Sequence, residues 1–139
     1  MNIYFACSIT GGRRDEAIYQ RIVEALLADG HEVPTAMLAR SDVTSKERVV
    51  DPIEVYQRDT AWIKACDALI AEVSTASHGV GYEIGYALNV EKPVLCIHQQ
   101  DVDISKMISG NPHPKLQIKH YDSWEELKGI LQAFLGSLF

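Results

Sequence analysis

Residues 68–98 read ALIAEVSTASHGVGYEIGYALNVEKPVLCIH, and they contain the pattern that decides the fold. Short apolar runs at 68–73 and 93–98 predict two strands that are buried on both faces. The segment between them, residues 79–90, has its apolar residues at helical spacing. A strand, a helix and a second strand in this order predict a parallel β-α-β unit with a right-handed crossover.

The same alternation extends over the rest of the chain. Further strands are predicted over residues 2–7, 31–35 and 115–118, and further helices over residues 13–29, 52–66, 104–108 and 123–138. Five strands, each followed by a helix, indicate an α/β fold over residues 1–139. We expect a single-domain, doubly wound, five-stranded parallel sheet of the flavodoxin-like or Rossmann-like kind, with strand order 2-1-3-4-5. In that order the ligand crevice lies at the carboxyl ends of strands one and three, after Cys7 and Val73.

The composition limits the partners that we expect. The 139 residues are 47% hydrophobic and carry 13 Lys and Arg against 19 Asp and Glu, a formal charge of -6. This balance, with no basic run, argues against a nucleic acid polymer or an anionic membrane surface as partner. No apolar run approaches the roughly 20 residues that span a bilayer, and the start of the chain lacks the basic segment of a signal peptide. We therefore expect a cytoplasmic protein.

Neither a metal nor a cofactor is expected. Cys7, Cys66 and Cys96 lie among apolar neighbours without a C-x-x-C pair, which predicts buried free thiols. The histidines are scattered, so they indicate no metal site.

Two loops at the predicted crevice are rich in hydroxyl groups and glycine. Residues 8–12 follow strand one and residues 74–81 follow strand three. Hydroxyl and N–H groups at the start of a helix suit a phosphate group. One Gly-Gly turn is by itself only a turn. Two such loops at one crevice favour a phosphate-binding site.

Two carboxylates occupy helix positions where apolar residues are expected. Glu83 shares a stripe with Ala87, on the side that should face the sheet. Asp59 lies in the middle of the apolar face of the helix over 52–66, with Arg58 on the opposite face. Asp59 either has a catalytic role or caps a loop or pairs with an arginine. A desolvated but ionised carboxylate is a competent nucleophile, so the pair fits chemistry on a phosphorylated sugar.

Four segments together resemble the nucleoside 2-deoxyribosyltransferase superfamily, and most closely its 2'-deoxynucleoside 5'-phosphate N-hydrolase branch. They are residues 4–13, 59–67, 71–74 and 77–85. The resemblance extends from strand one to about Gly110, and the GVGYEIG block at 79–85 is its most specific part. It implies cleavage of the N-glycosidic bond of a deoxynucleoside monophosphate, giving free base and deoxyribose 5-phosphate.

The resemblance also implies roles for individual residues. Glu83 is expected to be the nucleophile that forms a deoxyribosyl ester. Tyr4, which alone would be a core tyrosine, is expected to orient Glu83, and Asp59 to act as acid/base or to hold the sugar or base. The expected substrate-binding residues are Ser8, Ile9, Thr10, Gly11, Gly12, Ser77, Gly79 and Ser105.

Two residues of this set, Ser105 and Thr10, carry further implications. Ser105 matches a serine that the neighbouring subunit contributes, so the resemblance implies a homodimer. Relatives tend to carry arginine where this chain has Thr10, and Arg13 or Arg14 is placed to supply a cation instead.

Two other functions remain open at this point. In a deoxyribosyltransferase, a second base rather than water takes the sugar from Glu83; the serines around Gly79 favour a phosphorylated substrate and hence the hydrolase. In a flavodoxin-like module, residues 8–12 would bind the phosphate of FMN, which leaves Glu83 and Asp59 unexplained. The long irregular stretch 36–50 is either a lid over the substrate or plain surface. Base preference depends on that stretch and on Ile9.

Overall fold

A computed structural model describes residues 1–9 and 15–138. The expected phosphate-binding residues Thr10, Gly11 and Gly12, together with Arg13 and Arg14, lie outside the described residues. Four parallel strands form one sheet: β1 (Ile3–Ala6), β2 (Ala68–Glu72), β3 (Val94–Gln99) and β4 (Leu116–Tyr121), in the order β1-β2-β3-β4. The helices are α1 (Glu16–Ala28), α2 (Val43–Glu47), α3 (Pro52–Ala65), α4 (His78–Asn89), α5 (Lys106–Ser109) and α6 (Trp124–Gly136).

The sheet has four strands rather than the five that the sequence predicts. Residues 31–35 form only an isolated bridge, in which Ile3 N donates to Glu32 O at 2.8 Å. Pro34 has no N–H group to donate to a strand. The Thr35 hydroxyl group takes the place of a backbone partner, because it accepts from Phe5 N at 3.0 Å and donates to Phe5 O at 2.8 Å. The order 2-1-3-4-5 is therefore not confirmed.

Helices cover both faces of the sheet, as the near-continuous apolar strands predict. Alternate residues of β1 point to opposite faces. Ile3 and Phe5 belong to a core that includes residues of α1 and α6. Tyr4 and Ala6 belong to a second core that includes residues of α3 and α4. The three cysteines are buried and free, which confirms that prediction.

The helices that carry the candidate site have clear start signals. Asp51 caps α3 by accepting from Ile53 N at 2.8 Å, and Pro52 begins the helix. Ser77 caps α4 by accepting from Val80 N at 3.3 Å. These caps fix where Asp59 and Glu83 fall along their helices.

The stretch 36–50 is more regular than the sequence predicts. It contains a 3-10 helix (Ala36–Ala39) and the short helix α2. Leu38, Ala39 and Val43 are buried, so apolar side chains anchor this stretch to the rest of the fold. Within the described part of the chain, no helix is both long and apolar enough to cross a membrane.

Candidate active site

A cavity of about 740 Å³ opens beyond the carboxyl ends of β1 and β2, between α2, α3 and α4. This is the place at which the sequence predicts the site. Five of the expected site residues line the cavity together: Ile9, Asp59, Ser77, Gly79 and Glu83. The remaining wall is largely apolar, which suits a ligand with a planar ring.

Three other expected residues do not line it. Tyr4 is fully buried beneath the cavity, in the same core as Ile84. Ser8 is also fully buried. Ser105 is exposed and caps the short helix α5, accepting from Met107 N at 3.2 Å.

The Glu83 carboxyl group is partly buried, and burial raises its pKa to about 8. The Tyr4 hydroxyl group and the Arg58 cation lower this pKa, whereas the Asp59 carboxylate raises it. Burial is thus the largest influence on the charge of Glu83. In the free protein Glu83 therefore changes its charge close to neutral pH.

Tyr4 provides a neutral hydroxyl group beside Glu83. Burial raises the pKa of Tyr4, and the nearby carboxylates of Glu83 and Asp59 raise it further. The hydroxyl group forms no hydrogen bond of ordinary geometry with any residue of the described ranges 1–9 and 15–138. It is close enough to Glu83 to favour the ionised carboxylate. Tyr4 is thus placed to donate to Glu83 when Glu83 is charged.

Asp59 pairs with its neighbour Arg58. Arg58 Nε donates to Asp59 Oδ1 at 2.8 Å, and Arg58 also contacts Glu47 Oε1 at 3.1 Å. Burial raises the pKa of Asp59, although Arg58 opposes this effect. The arginine partner that the sequence left open is therefore present, and Asp59 still faces the cavity.

The prediction that Arg58 lies on the opposite face of its helix is wrong. Its guanidinium group lies 5.1 Å from the ring of Trp62 and reaches the two carboxylates. A long, flexible side chain can direct its charge away from the direction of its Cβ atom. Along α3 Ile63 is buried, whereas Tyr56 is 54% exposed and contacts Tyr82.

The stretch 36–50 provides part of the cavity wall. Glu47, Arg48 and Val50 line the cavity. From the length of the stretch, the sequence left two alternatives open, a lid over the substrate or plain surface.

A second polar cluster went unpredicted, although its central residue, Glu72, is a carboxylate within an apolar strand. Glu72 is fully buried and accepts from Ser74 N at 2.6 Å and from the hydroxyl groups of Ser74 and Tyr121. Ser74 Oγ in turn accepts from Gln99 N at 2.8 Å. The cluster fixes the first residue of the loop that leads to Ser77.

Comparisons with known proteins show the family to which the chain belongs. The sequence model described as nucleoside 2-deoxyribosyltransferase matches residues 3–121. The chain belongs to the nucleoside 2-deoxyribosyltransferase family. The prediction of this family from the sequence is confirmed.

Individual relatives in this family cover nearly the whole chain. A Methanosarcina mazei protein, provisionally named 2'-deoxynucleoside 5'-phosphate N-hydrolase 1, is 39% identical over 99% of this chain and 85% of its own length. A 5-hydroxymethyl-dUMP N-hydrolase of Esox lucius is 39% identical over 99% of this chain and 98% of its own length.

A solved structure supports the fold of the family. The Clostridium botulinum CMP N-glycosidase has a TM-score of 0.69 and 19% identity, covering 95% of this chain and 99% of its own. In the described part of the present chain, no group of three or more His, Cys, Asp or Glu side chains is arranged to hold a metal ion.

Proposed function

We propose that this protein hydrolyses the N-glycosidic bond of 2'-deoxynucleoside 5'-monophosphates, releasing free base and deoxyribose 5-phosphate. The observation that carries the proposal is that Glu83 and Asp59 line one cavity beside the start of α4. Two carboxyl groups at one site are what glycosidic cleavage through a covalent intermediate requires. The names of the relatives support a nucleotide substrate.

In the first step the ionised Glu83 attacks C1' of the deoxyribose. A bond forms between a carboxylate oxygen and C1', and the C1'–N bond breaks with its electron pair moving to the base. Asp59 donates a proton to the departing base, a role that its raised pKa favours. Tyr4 donates to Glu83 and holds the attacking carboxylate in position.

In the second step water replaces the enzyme on C1'. Asp59, now a carboxylate, takes a proton from the water as its oxygen attacks C1'. The ester bond to Glu83 breaks, and the carboxylate is regenerated. Two displacements at the same carbon give net retention of its configuration.

The start of α4 is proposed to hold the 5'-phosphate. The positive end of a helix dipole and its free N–H groups favour an anion. A side chain at Gly79 would enter this space: a β-carbon there would lie 3.8 Å from Glu83 Oε1 and 4.0 Å from Ser77 Oγ. Glycine therefore leaves room for a ligand between the nucleophile and the cap residue. Ser8, Ile9 and residues 10–12 are proposed to complete the site.

We propose in addition that the enzyme is a homodimer in which Ser105 reaches the site of the partner. Ser105 does not line the cavity of its own chain, and the neighbouring Met107 is 85% exposed. Mixing Glu83→Ala with Ser105→Ala protein tests this arrangement, because a heterodimer has one site without either change. Recovery of activity on mixing is expected; no recovery would place Ser105 at its own site or at none.

The activity itself is tested by measuring base release from a panel of deoxynucleoside 5'-monophosphates and the matching nucleosides. Wild type and Glu83→Ala are compared, with and without a second base. We expect release from monophosphates that is lost in the variant. Exchange of bases on unphosphorylated nucleosides would assign the protein to the transferases instead. No turnover of either kind would refute the glycosidic mechanism and favour a nucleotide-binding module.

A further inference from the structure

Arg58 occupies an unusual place at the wall of the cavity. Its Nε atom contacts Asp59 Oδ1 at 2.8 Å, and its Nη1 atom contacts Glu47 Oε1 at 3.1 Å. Both carboxylates line the cavity. Asp59 belongs to α3, as Arg58 does, whereas Glu47 is the last residue of α2. One guanidinium group thus connects two elements through groups that face the ligand space.

This ion-pair cluster is partly shielded from water. The exposed fractions of the side chains are 23% for Arg58, 16% for Glu47 and 14% for Asp59. In such surroundings the loss of one partner leaves a charge that neither water nor protein compensates well. The pairing therefore controls the charge of Asp59 more strongly than an ion pair on the surface would.

Arg58 does not itself face the ligand space. It is not among the lining residues, and its Nη2 atom is buried without a hydrogen-bond partner among the described residues. The ring of Trp62 lies 5.1 Å from the guanidinium carbon. Arg58 therefore acts on the reaction through the Asp59 and Glu47 carboxylates that it holds, and through the effect of its charge on Glu83.

We propose that Arg58 is a positioning residue: it orients the Asp59 carboxyl group toward the cavity, and it fastens α2 as the cavity wall through Glu47. This inference rests on the proposed function, because its first readout is turnover. It adds to that function a residue that sets both the geometry of the acid/base group and the position of the wall.

The charged groups around these carboxyls give the proposal a distinctive pH signature. Asp59 faces the Arg58 cation and the Glu47 carboxylate. Glu83 faces Tyr4 from β1, and Asp59 and Arg58 from α3. Arg58 lowers the pKa of both Asp59 and Glu83, while Glu47 raises that of Asp59. In the profile of kcat/KM against pH, one limb follows the pKa of Asp59 and the other that of Glu83. Removing Arg58 should therefore move both limbs to higher pH. Removing Glu47 should move only the limb that follows Asp59, and to lower pH.

The experiment compares Arg58→Gln, Arg58→Lys and Glu47→Gln with Lys64→Gln, which removes a cation from an exposed position of the same helix. We expect Arg58→Gln to lower kcat/KM at pH 7 by about ten- to a hundredfold, the usual loss for a misplaced catalytic group. Arg58→Lys should keep the limbs near their wild-type positions, since it retains the charge. Glu47→Gln should chiefly raise KM, and Lys64→Gln should change neither parameter.

A second readout does not depend on turnover. Titration of ¹³C-labelled carboxyl groups by NMR should show the pKa of Asp59 and that of Glu83 rising in Arg58→Gln and not in Lys64→Gln. The proposal is overturned if folded Arg58→Gln has kcat/KM within about twofold of wild type. It is also overturned if activity falls with no movement of the limbs or of the NMR titrations. An inactive wild type with the expected NMR shifts would count against the proposed function alone.

Discussion

The Tyr4→Phe variant tests whether the hydroxyl group of Tyr4 acts in catalysis or only stabilises the fold. The Tyr4 hydroxyl is buried and forms no ordinary hydrogen bond with a described residue. A buried hydroxyl group in that condition costs about 1–3 kcal/mol of stability. The partial interaction with Glu83 offsets some of this cost. We therefore expect the variant to be more stable than wild type by about 1 kcal/mol, which raises Tm by about 2–4 °C.

The same substitution should reduce activity, and mostly at low pH. Glu83 has a pKa of about 8, so in the free protein roughly a tenth of it is ionised at pH 7. The hydroxyl group of Tyr4 lowers that pKa. Loss of a hydrogen bond to a charged group corresponds to a rise of about one pKa unit. The expected consequence is a fall in kcat/KM of about tenfold at pH 7, with a smaller difference above pH 9.

The assay is base release measured from pH 5 to 10, together with calorimetry of the same protein samples. A lower Tm with an equal loss of kcat/KM at every pH would refute the reasoning, because it would show that the hydroxyl group only stabilises the fold.

Three further predictions concern residues around the site. Glu83→Gln should raise Tm relative to wild type at pH 9 and not at pH 4. The pKa of Glu83 is raised in the folded protein, so the stability that its carboxyl group contributes below the unfolded pKa is lost as pH rises through about 8. Thermal melts at both pH values check this. Tyr121→Phe removes a donor to the buried Glu72 and should lower the free energy of unfolding by about 1.5–3 kcal/mol, as chemical denaturation would show. Gly79→Ala should fold normally but raise KM for monophosphates more than for nucleosides, because its methyl group enters the proposed phosphate space; equal effects on both substrates would contradict that assignment.

The sequence predicts the central strands of the fold because the apolar runs that indicate them are local features of the chain. The apolar runs at 68–73 and 93–98 are too short for helices and too apolar for loops, and they form β2 and β3. Residues 31–35 carry a weaker signal of the same kind. There Pro34 and the hydroxyl group of Thr35 decide against a strand, and that outcome depends on where Phe5 lies in three dimensions.

The site is predictable where a residue contradicts the pattern around it. Glu83 and Asp59 are carboxylates at positions that favour apolar residues, and both line the cavity. Arg58 escapes prediction because helical periodicity places its Cβ atom, whereas its contacts are made at the end of a long side chain. Glu72 escapes because the buried partners that satisfy it come from Ser74 and the distant Tyr121.

The central claim is that Glu83 forms a covalent bond with the sugar of a deoxynucleoside monophosphate. The most direct test is intact-protein mass spectrometry of rapidly quenched reactions of the wild type, with Glu83→Gln as the control. The account predicts an added mass equal to deoxyribose 5-phosphate less water, located on the peptide that contains Glu83 and absent from Glu83→Gln. Release of free base at an undiminished rate by Glu83→Gln, without any adduct on the wild type, would contradict it.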